Sequence, residues 1–443
     1  MSSSARSFHF RGELPLSKSL LNRWMVLLSF DASLWNRHRA DLKCLAKRSG
    51  EDTHFCFESL DRIVNASENS DEPMILHCGE GGAPFRFIAL RASRRPGKYQ
   101  ITGSPRLLQR PMQELLQILQ QLQVQSEWRP DQGLWIDSKG WLTPISGALE
   151  VDRRRSSQFL SAVLLSSVGL PFELSIQSSV DGAMSEPYAE MTLQMLQNTG
   201  AWVQGSLSSG WIRLAPHSDS LDPDFWNSIV LPALESDWSA AWSIAGHAAV
   251  IPGGQAHLPA LRLPSLQPDS VSLEILRKMG VEVQQPRERE FLVCSSGVIK
   301  GVECDLRGSP DLFPVLVALA SLAQTPSRLT GLESLQYKES HRLLKMKSLV
   351  ESLGARVMAL NGSDLNAGVE VVPIESAVRA KWLDVHFPQV DCDPDHDHRI
   401  AMAASVLRLA GAPLRIHHPE VVNKSFPEFW QQVDRAKDGD QGK

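Results

Sequence analysis

At 443 residues the chain is longer than one ordinary core accommodates, and two domains of about 200 residues are the natural expectation. A hydrophobic content of 42%, a charged content of 21% and a net charge of −5 from 45 Lys+Arg against 50 Asp+Glu describe a globular protein and argue against a nucleic-acid binder. There is no run of eighteen apolar residues, no apolar core in the N-terminal "MSSSARSFHFRGELPLSKS" and no C-x-x-C pair among the six cysteines, so the expectation is a cytoplasmic chain with reduced thiols and no membrane span.

In chain order, the first element is "SKSLLNRWMVLLSF" from Ser17, a polar opening followed by a helix apolar nearly all round. "EDTHFCFESLDRIVN" follows as an amphipathic helix with a wet face, then "GEGGAPFRFIALRAS" from Gly79 as a second buried helix and "RPMQELLQILQQLQ" as a second wet one. "SSQFLSAVLLSSVGL" from Ser156 is buried, "FELSIQ" reads as a strand, and "AEMTLQMLQNTGAWV" is amphipathic. The second half repeats the alternation. "SDWSAAWSIAGHAAVI" from Ser236, "SPDLFPVLVALASLA" from Ser309 and "DHRIAMAASVLRLAGA" from Asp397 are the buried type. "VSLEILRKMGVEV", "ESHRLLKMKSLVESLGARV" and "FPEFWQQVDRAK" are the amphipathic type.

A helix without a polar face is covered on all sides. Three amphipathic helices end at Gly200, Gly280 and Gly354 and run directly into β-branched strands. Six copies of a unit of about 75 residues, three per domain, is an internal-repeat signature.

The openings of the buried helices carry Lys18, Ser19 and Arg23; Arg86; Ser156, Ser157 and Gln158; Asp311; His398 and Arg399. Free N–H groups and the positive dipole end of a helix suit phosphate or carboxylate, and basic residues beside the caps in most copies point to polyanion binding. The "RRR" run at 153–155 reads as solvated surface. "VDCDPDHDHRIAMAASVL" from Val390 raises a metal site by composition alone, since four aspartates and two histidines crowd together before the chain turns apolar.

Nine segments in order carry a family resemblance: "PLSKSLLNR" from Pro15, "GEGGAPFR" from Gly79, "PRLLQRP" from Pro105, "SSQF" from Ser156, "SEPY" from Ser185, "PDL" from Pro310, "KESHRL" from Lys338, "DHRIAM" from Asp397 and "NKSFPEFW" from Asn423. Together they resemble the 5-enolpyruvylshikimate-3-phosphate (EPSP) synthase family from about residue 9 to residue 433. The resemblance implies an α/β fold of inside-out type with two lobes and six βαβαββ repeats, three per lobe. It implies a discontinuous first lobe of residues 1–16 and 235–443, a second lobe of 17–234, and an active site in the cleft between them. It also implies transfer of the enolpyruvyl group of phosphoenolpyruvate to the 5-hydroxyl of shikimate 3-phosphate, by a monomer that needs no metal or other cofactor.

By the same resemblance, Lys18, Gly82, Arg110, Gln158, Arg342, Arg399 and Lys424 match the positions around phosphoenolpyruvate. Lys18, Ser19, Arg23, Ser156, Ser157, Gln158, Ser185, Tyr188, Asp311, Ser334 and Lys338 match those around shikimate 3-phosphate. Two phosphates and two carboxylates held together require several fixed cations. Asp311 is assigned to the hydroxyl, Glu339 to the methylene carbon and Lys18 to proton transfer and charge stabilisation, with Asp397 capping its helix and His398 in support.

The chain departs from the family pattern at Leu16, Glu80, Ala83, Ser334 and His341. His341 replaces an aspartate beside Arg342, so a carboxylate expected to orient that arginine is missing. Two other readings are a relative acting on UDP-N-acetylglucosamine, disfavoured because "SPRLLQRPMQ" contains no Cys, and a non-catalytic anion-binding relative, disfavoured by the retention of Asp311, Glu339 and Lys18.

Overall fold

The computed structural model describes residues 6–66, 72–141, 147–180, 184–216, 220–382, 384 and 386–438. The outermost residues of the expected first lobe, 1–5 and 439–443, lie outside the described residues. The chain divides into two compact units, Leu16–Leu234 and Glu235–Lys443 with Met1–Pro15. Among the described residues no helix is long and apolar enough to cross a membrane.

Each of the six buried segments forms a helix: α1 (Lys18–Leu28), α2 (Gly82–Ser93), α3 (Gln158–Leu165), α4 (Trp238–Ala249), α5 (Phe313–Leu322) and α6 (His398–Ala410). Within the Leu16–Leu234 unit, α1, α2 and α3 pack against one another; within the other unit, α4, α5 and α6 do the same. Three of the six openings are side-chain caps: Ser17 accepts the Leu20 N–H, Asp237 the Ala240 N–H and Asp397 the Arg399 N–H.

The amphipathic helices lie between strands. In the Leu16–Leu234 unit, Met74–His77 pairs parallel with Gly97–Thr102, which pairs antiparallel with Gly133–Ser138, itself antiparallel to Gln125–Arg129. Leu149–Val151, Leu174–Ser178, Trp211–Leu214 and Val203–Ser206 repeat that order. In the other unit the pattern recurs twice, in His9–Phe10, Gln255–Pro259, Glu290–Cys294 and Glu282–Arg287, and in Glu303–Asp305, Ser327–Thr330, Gly368–Val372 and Arg356–Ala359. Gly200, Gly280 and Gly354 sit at φ of 87°, 87° and 106°, the left-handed stop that lets each helix turn into its strand.

The fold class is the expected one, with a correction to the strand count of two repeats. Around α6 only Val390–Cys392 and Leu414–Ile416 pair, in parallel. Between α1 and the Met74–His77 strand, the described residues form the helices Ala32–Arg37, Arg39–Arg48 and Glu51–Val64 and no strand. That stretch has Asp31 as a cap and two short charged helical segments where a β-branched run would be needed for a hairpin.

Three arginines at the end of α2 close neighbouring helix C-termini, where orphan carbonyls and the negative dipole end collect. Arg91 donates to Ser29 Oγ at 2.8 Å and to the Ser29 carbonyl at 2.7 Å. Arg94 donates to the carbonyls of Ser166 and Val168, and Arg95 to those of Ile63 and Ala66. A second correction concerns Arg153. It is fully buried, not solvated, and donates to the carbonyls of Ser179 at 3.0 Å and Leu207 at 2.9 Å.

Candidate active site

In the unit that contains α4, α5 and α6, the short Pro310–Leu312 turn delivers Asp311 just before α5. The opening of α6 delivers Asp397, His398 and Arg399, and the loop before the Arg342–Ser352 helix delivers Lys338, Glu339 and Arg342. These elements converge on one carboxylate. Arg342 Nη1 lies 2.7 Å and Lys338 Nζ 3.3 Å from Asp311 Oδ1, and Arg399 Nη2 lies 2.9 Å from Oδ2. Burial alone would raise the Asp311 carboxyl, but Arg399, Lys338 and Arg342 together hold it well below the usual carboxylate range.

Arg342 is gripped from its other side. Its Nε donates to Asp397 Oδ2 at 2.7 Å and its Nη2 to Oδ1 at 3.3 Å, while Ser340 Oγ donates to Oδ2 at 3.1 Å. Asp397 is completely buried and also caps α6, so one carboxylate fixes a helix start and an arginine at once. The carboxylate that His341 fails to supply therefore comes from Asp397 and Asp311. His341 takes a local task instead, its Nδ1 accepting the Leu344 N–H at 3.5 Å as the helix N-cap.

Glu339 occupies a different environment. Its Oε2 is 3.0 Å from His398 Nδ1 and 3.5 Å from Lys424 Nζ. Lys424 also donates to the carbonyl of His396, which lies, with Asp395, at positive φ. His396 thus contributes a main-chain oxygen to the cluster while its side chain is exposed. Asp391 pairs with Arg415 at 2.8 Å and His417 at 2.9 Å, outside the cluster. Glu339, Asp397 and His398 bring ligand atoms within 4.8 Å of one another, the spacing of a metal site. Their oxygens already face Arg342 and Lys424, and a divalent cation there would meet two fixed positive charges. Ser334, buried in the Glu333–Tyr337 turn ahead of Lys338, has an Oγ with no hydrogen-bond partner among the described residues.

In the unit that contains α1, α2 and α3, the predicted residues fall into two linked groups. Arg23 is almost fully buried on α1. Its Nε donates to Thr192 Oγ1 at 2.7 Å, its Nη1 to the Ser19 carbonyl at 2.8 Å, and its Nη2 to the Tyr188 carbonyl at 3.2 Å and Ser161 Oγ at 3.4 Å. Burial lowers Arg23 to about 10. Ser185 stands at φ 53° immediately before the helix that carries Tyr188 and Thr192, so Ser19, Arg23 and the "SEPY" turn are tied together.

The second group is built on Gly82, at the start of α2. A β-carbon on Gly82 would lie 2.6 Å from Arg110 Nη1 and 2.9 Å from Arg86 Nη1, so both guanidinium groups rest on the space that glycine leaves. Arg86 donates to Gln158 Oε1 at 2.6 Å and to the Gly82 carbonyl at 2.9 Å. Burial and then the neighbouring Arg110 depress Arg86 to about 9. The Nε of Arg110 is buried with no hydrogen-bond partner among the described residues, and its guanidinium shares the space over Gly82 with that of Arg86, a concentration of positive charge suited to an anion. Ser156 and Ser157 open α3, where Ser156 Oγ accepts the Gln158 N–H at 3.2 Å. Glu80 is half-buried in the loop before Gly82.

Sequence reasoning missed several neighbours. Asp52, in the first turn of the Glu51–Val64 helix, lies 3.0 Å from Lys18 Nζ. Thr192 and Ser161 hold Arg23, and Ser340 holds Asp397. Asp269, buried, accepts from Ser239 Oγ and is raised to about 6, first by burial and then by Asp311. An aspartate in a helix's first turn is indistinguishable by sequence from an ordinary dipole partner.

Enolpyruvyl transferases are among the solved structures with this architecture. The EPSP synthase from Acinetobacter baumannii superposes with a TM-score of 0.66 at 20% identity, covering 98% of this chain and 97% of that one. The enolpyruvyl transferase NikO from Streptomyces tendae gives 0.62 at 12% identity, covering 98% and 95%. At these identities the likeness establishes the fold. A family model described as EPSP synthase (3-phosphoshikimate 1-carboxyvinyltransferase) matches residues 47–433. The 3-phosphoshikimate 1-carboxyvinyltransferase of Syntrophobacter fumaroxidans is 32% identical over 370 residues, 83% of this chain and 80% of its own. That of Bacteroides fragilis strain YCH46 is 28% identical over 432 residues, 96% and 94%. The chain belongs to the EPSP synthase family of enolpyruvyl transferases.

Proposed function

We propose that the chain transfers the enolpyruvyl group of phosphoenolpyruvate to the 5-hydroxyl of shikimate 3-phosphate and releases phosphate. The observation that carries this reading is a pair of carboxylates in contrasting surroundings among fixed cations. Asp311 is pinned by Arg342, Arg399 and Lys338, while Glu339 is hydrogen-bonded to His398 and faces Lys424. Arg342, Arg399, Lys424, Arg110, Lys18, Gln158 and Gly82 serve phosphoenolpyruvate. Arg23, Ser19, Ser156, Ser157, Ser185, Tyr188, Ser334 and Lys338, with Lys18, Gln158 and Asp311, serve the phosphorylated acceptor.

Addition forms the bond from the acceptor oxygen to C2 of phosphoenolpyruvate. The hydroxyl proton passes to Asp311, and Glu339 supplies a proton to the methylene carbon, giving a tetrahedral intermediate. Elimination then breaks the bond from C2 to the phosphate oxygen. The methyl group returns a proton to Glu339, the departing phosphate takes the proton held by Asp311, and Lys18 stabilises the phosphate charge. Asp311 is a weak base while three cations hold it. Substrate anions that draw Arg342, Arg399 and Lys338 toward themselves would raise its basicity when it is needed.

Acceptor choice is tested by following phosphate release from phosphoenolpyruvate with shikimate 3-phosphate and, separately, with UDP-N-acetylglucosamine. Release with the first alone supports the reading. Release with the second alone assigns the chain to the sister reaction, and binding of phosphoenolpyruvate without release to either makes it an anion-binding relative.

A further inference from the structure

Lys18 opens α1 facing a carboxylate that transfer chemistry does not require. Its Nζ lies 3.0 Å from Asp52 Oδ2, with the lysine side chain 20% exposed and the aspartate 3%. Asp52 also abuts the loop that leads to Gly82, because a β-carbon on Gly81 would lie 3.2 Å from Asp52 Cγ. One buried negative charge therefore touches two parts of a unit whose proposed ligands are anions. Left alone, such a charge weakens anion binding. Asp52 is also the partner that gives the Lys18 ammonium an orientation.

We propose that Asp52 is a positioning residue, an internal counter-ion that aims Lys18 and whose charge limits how tightly the site holds phosphate groups. This inference rests on the reading of Lys18 as a phosphate ligand. The carboxylate and an incoming phosphate compete for the three N–H groups of Lys18, so binding exchanges one anionic partner for another. The exchange keeps the ammonium paired in both states and prevents product phosphate from being held too firmly. Asparagine at the position keeps an oxygen acceptor for Lys18 and removes the charge; glutamate keeps the charge on a longer arm.

Isothermal titration of the full chain with inorganic phosphate and with phosphoenolpyruvate, for wild type, Asp52→Asn and Asp52→Glu, tests this. Asp52→Asn is expected to bind phosphate about fivefold more tightly, as loss of one partly screened charge predicts, and Asp52→Glu to stay near wild type. A purely structural role would instead weaken binding in both variants along with their melting temperatures. Asp52→Asn binding phosphate no more tightly than wild type, or Asp52→Glu tightening equally, overturns the proposal. If wild type binds phosphoenolpyruvate but releases no phosphate with shikimate 3-phosphate, the acceptor reading fails while the Asp52 comparison still stands. A wild-type chain that binds neither anion overturns both.

Discussion

Asp311 gives one carboxylate oxygen to Arg342 at 2.7 Å and the other to Arg399 at 2.9 Å, so the two arginines are held apart by the acid they flank. The resting cluster is thus a neutralised set of cations, preorganised for an anion. Replacing Asp311 by alanine removes the proposed proton acceptor and leaves Arg342 fixed by Asp397. Turnover is expected to fall by about 10²–10⁴-fold, the range for loss of a general base, with shikimate 3-phosphate binding largely intact. Steady-state kinetics and calorimetry on one preparation separate the two effects, and loss of binding would undo the role given to Asp311.

Asp269 carries a pH signature of opposite sign to its neighbours. Burial and Asp311 raise it from 3.8 to about 6, so the folded state binds its proton more tightly than the unfolded chain does. Stability from this group is present below pH 4 and lost as pH rises through 6. Asp269→Asn should therefore be more stable than wild type at pH 7, by up to about 3 kcal/mol, and the two should converge below pH 4. Asp397, held low chiefly by Arg342 against the effect of burial, contributes stability that disappears only at more acid pH. Thermal melts from pH 3 to pH 8 give the comparison.

The contact between Gly82 and Arg110 predicts a selective kinetic change. An added methyl group would meet the Arg110 guanidinium at 2.6 Å and that of Arg86 at 2.9 Å, in each case the far end of a flexible side chain. Gly82→Ala should raise KM for phosphoenolpyruvate by about tenfold, the scale of one displaced charge-assisted contact, with KM for the acceptor little changed. Equal changes in both constants would contradict this placement.

Adjacent arginines in the "RRR" run should differ sharply in their tolerance of mutation. Arg153→Met orphans the carbonyls of Ser179 and Leu207 in a buried setting and is expected to cost about 2–4 kcal/mol. Arg154 is exposed and paired with Asp152, and Arg154→Ala should cost less than about 0.5 kcal/mol. Denaturant titration of the two variants distinguishes them.

That contrast also marks how far the sequence can be read. The six buried helices were legible because a helix wrapped in core has no polar face, and Gly200, Gly280 and Gly354 because only glycine stops a helix so readily at positive φ. The partners of the charged residues were not. Lys18 finds Asp52 across 34 positions and Arg342 finds Asp397 across 55, distances over which no local period carries information. His341 shows the reverse error: a missing carboxylate looked like a lost orienting group, yet the fold supplies the charge from Asp397 and uses the histidine as a cap. The strands absent after α1 were hidden because repeat counting extends the average unit to every copy, while the residues between Asp31 and Val64 form helices of their own.

The central claim is acceptor identity, and phosphorus NMR of purified protein with phosphoenolpyruvate and shikimate 3-phosphate tests it most directly. The phosphoenolpyruvate signal is expected to be replaced by inorganic phosphate while the shikimate phosphate signal shifts to that of its enolpyruvyl ether, in equal amounts. An unchanged spectrum from protein that binds both ligands, or phosphate release without a new acceptor signal, would contradict it.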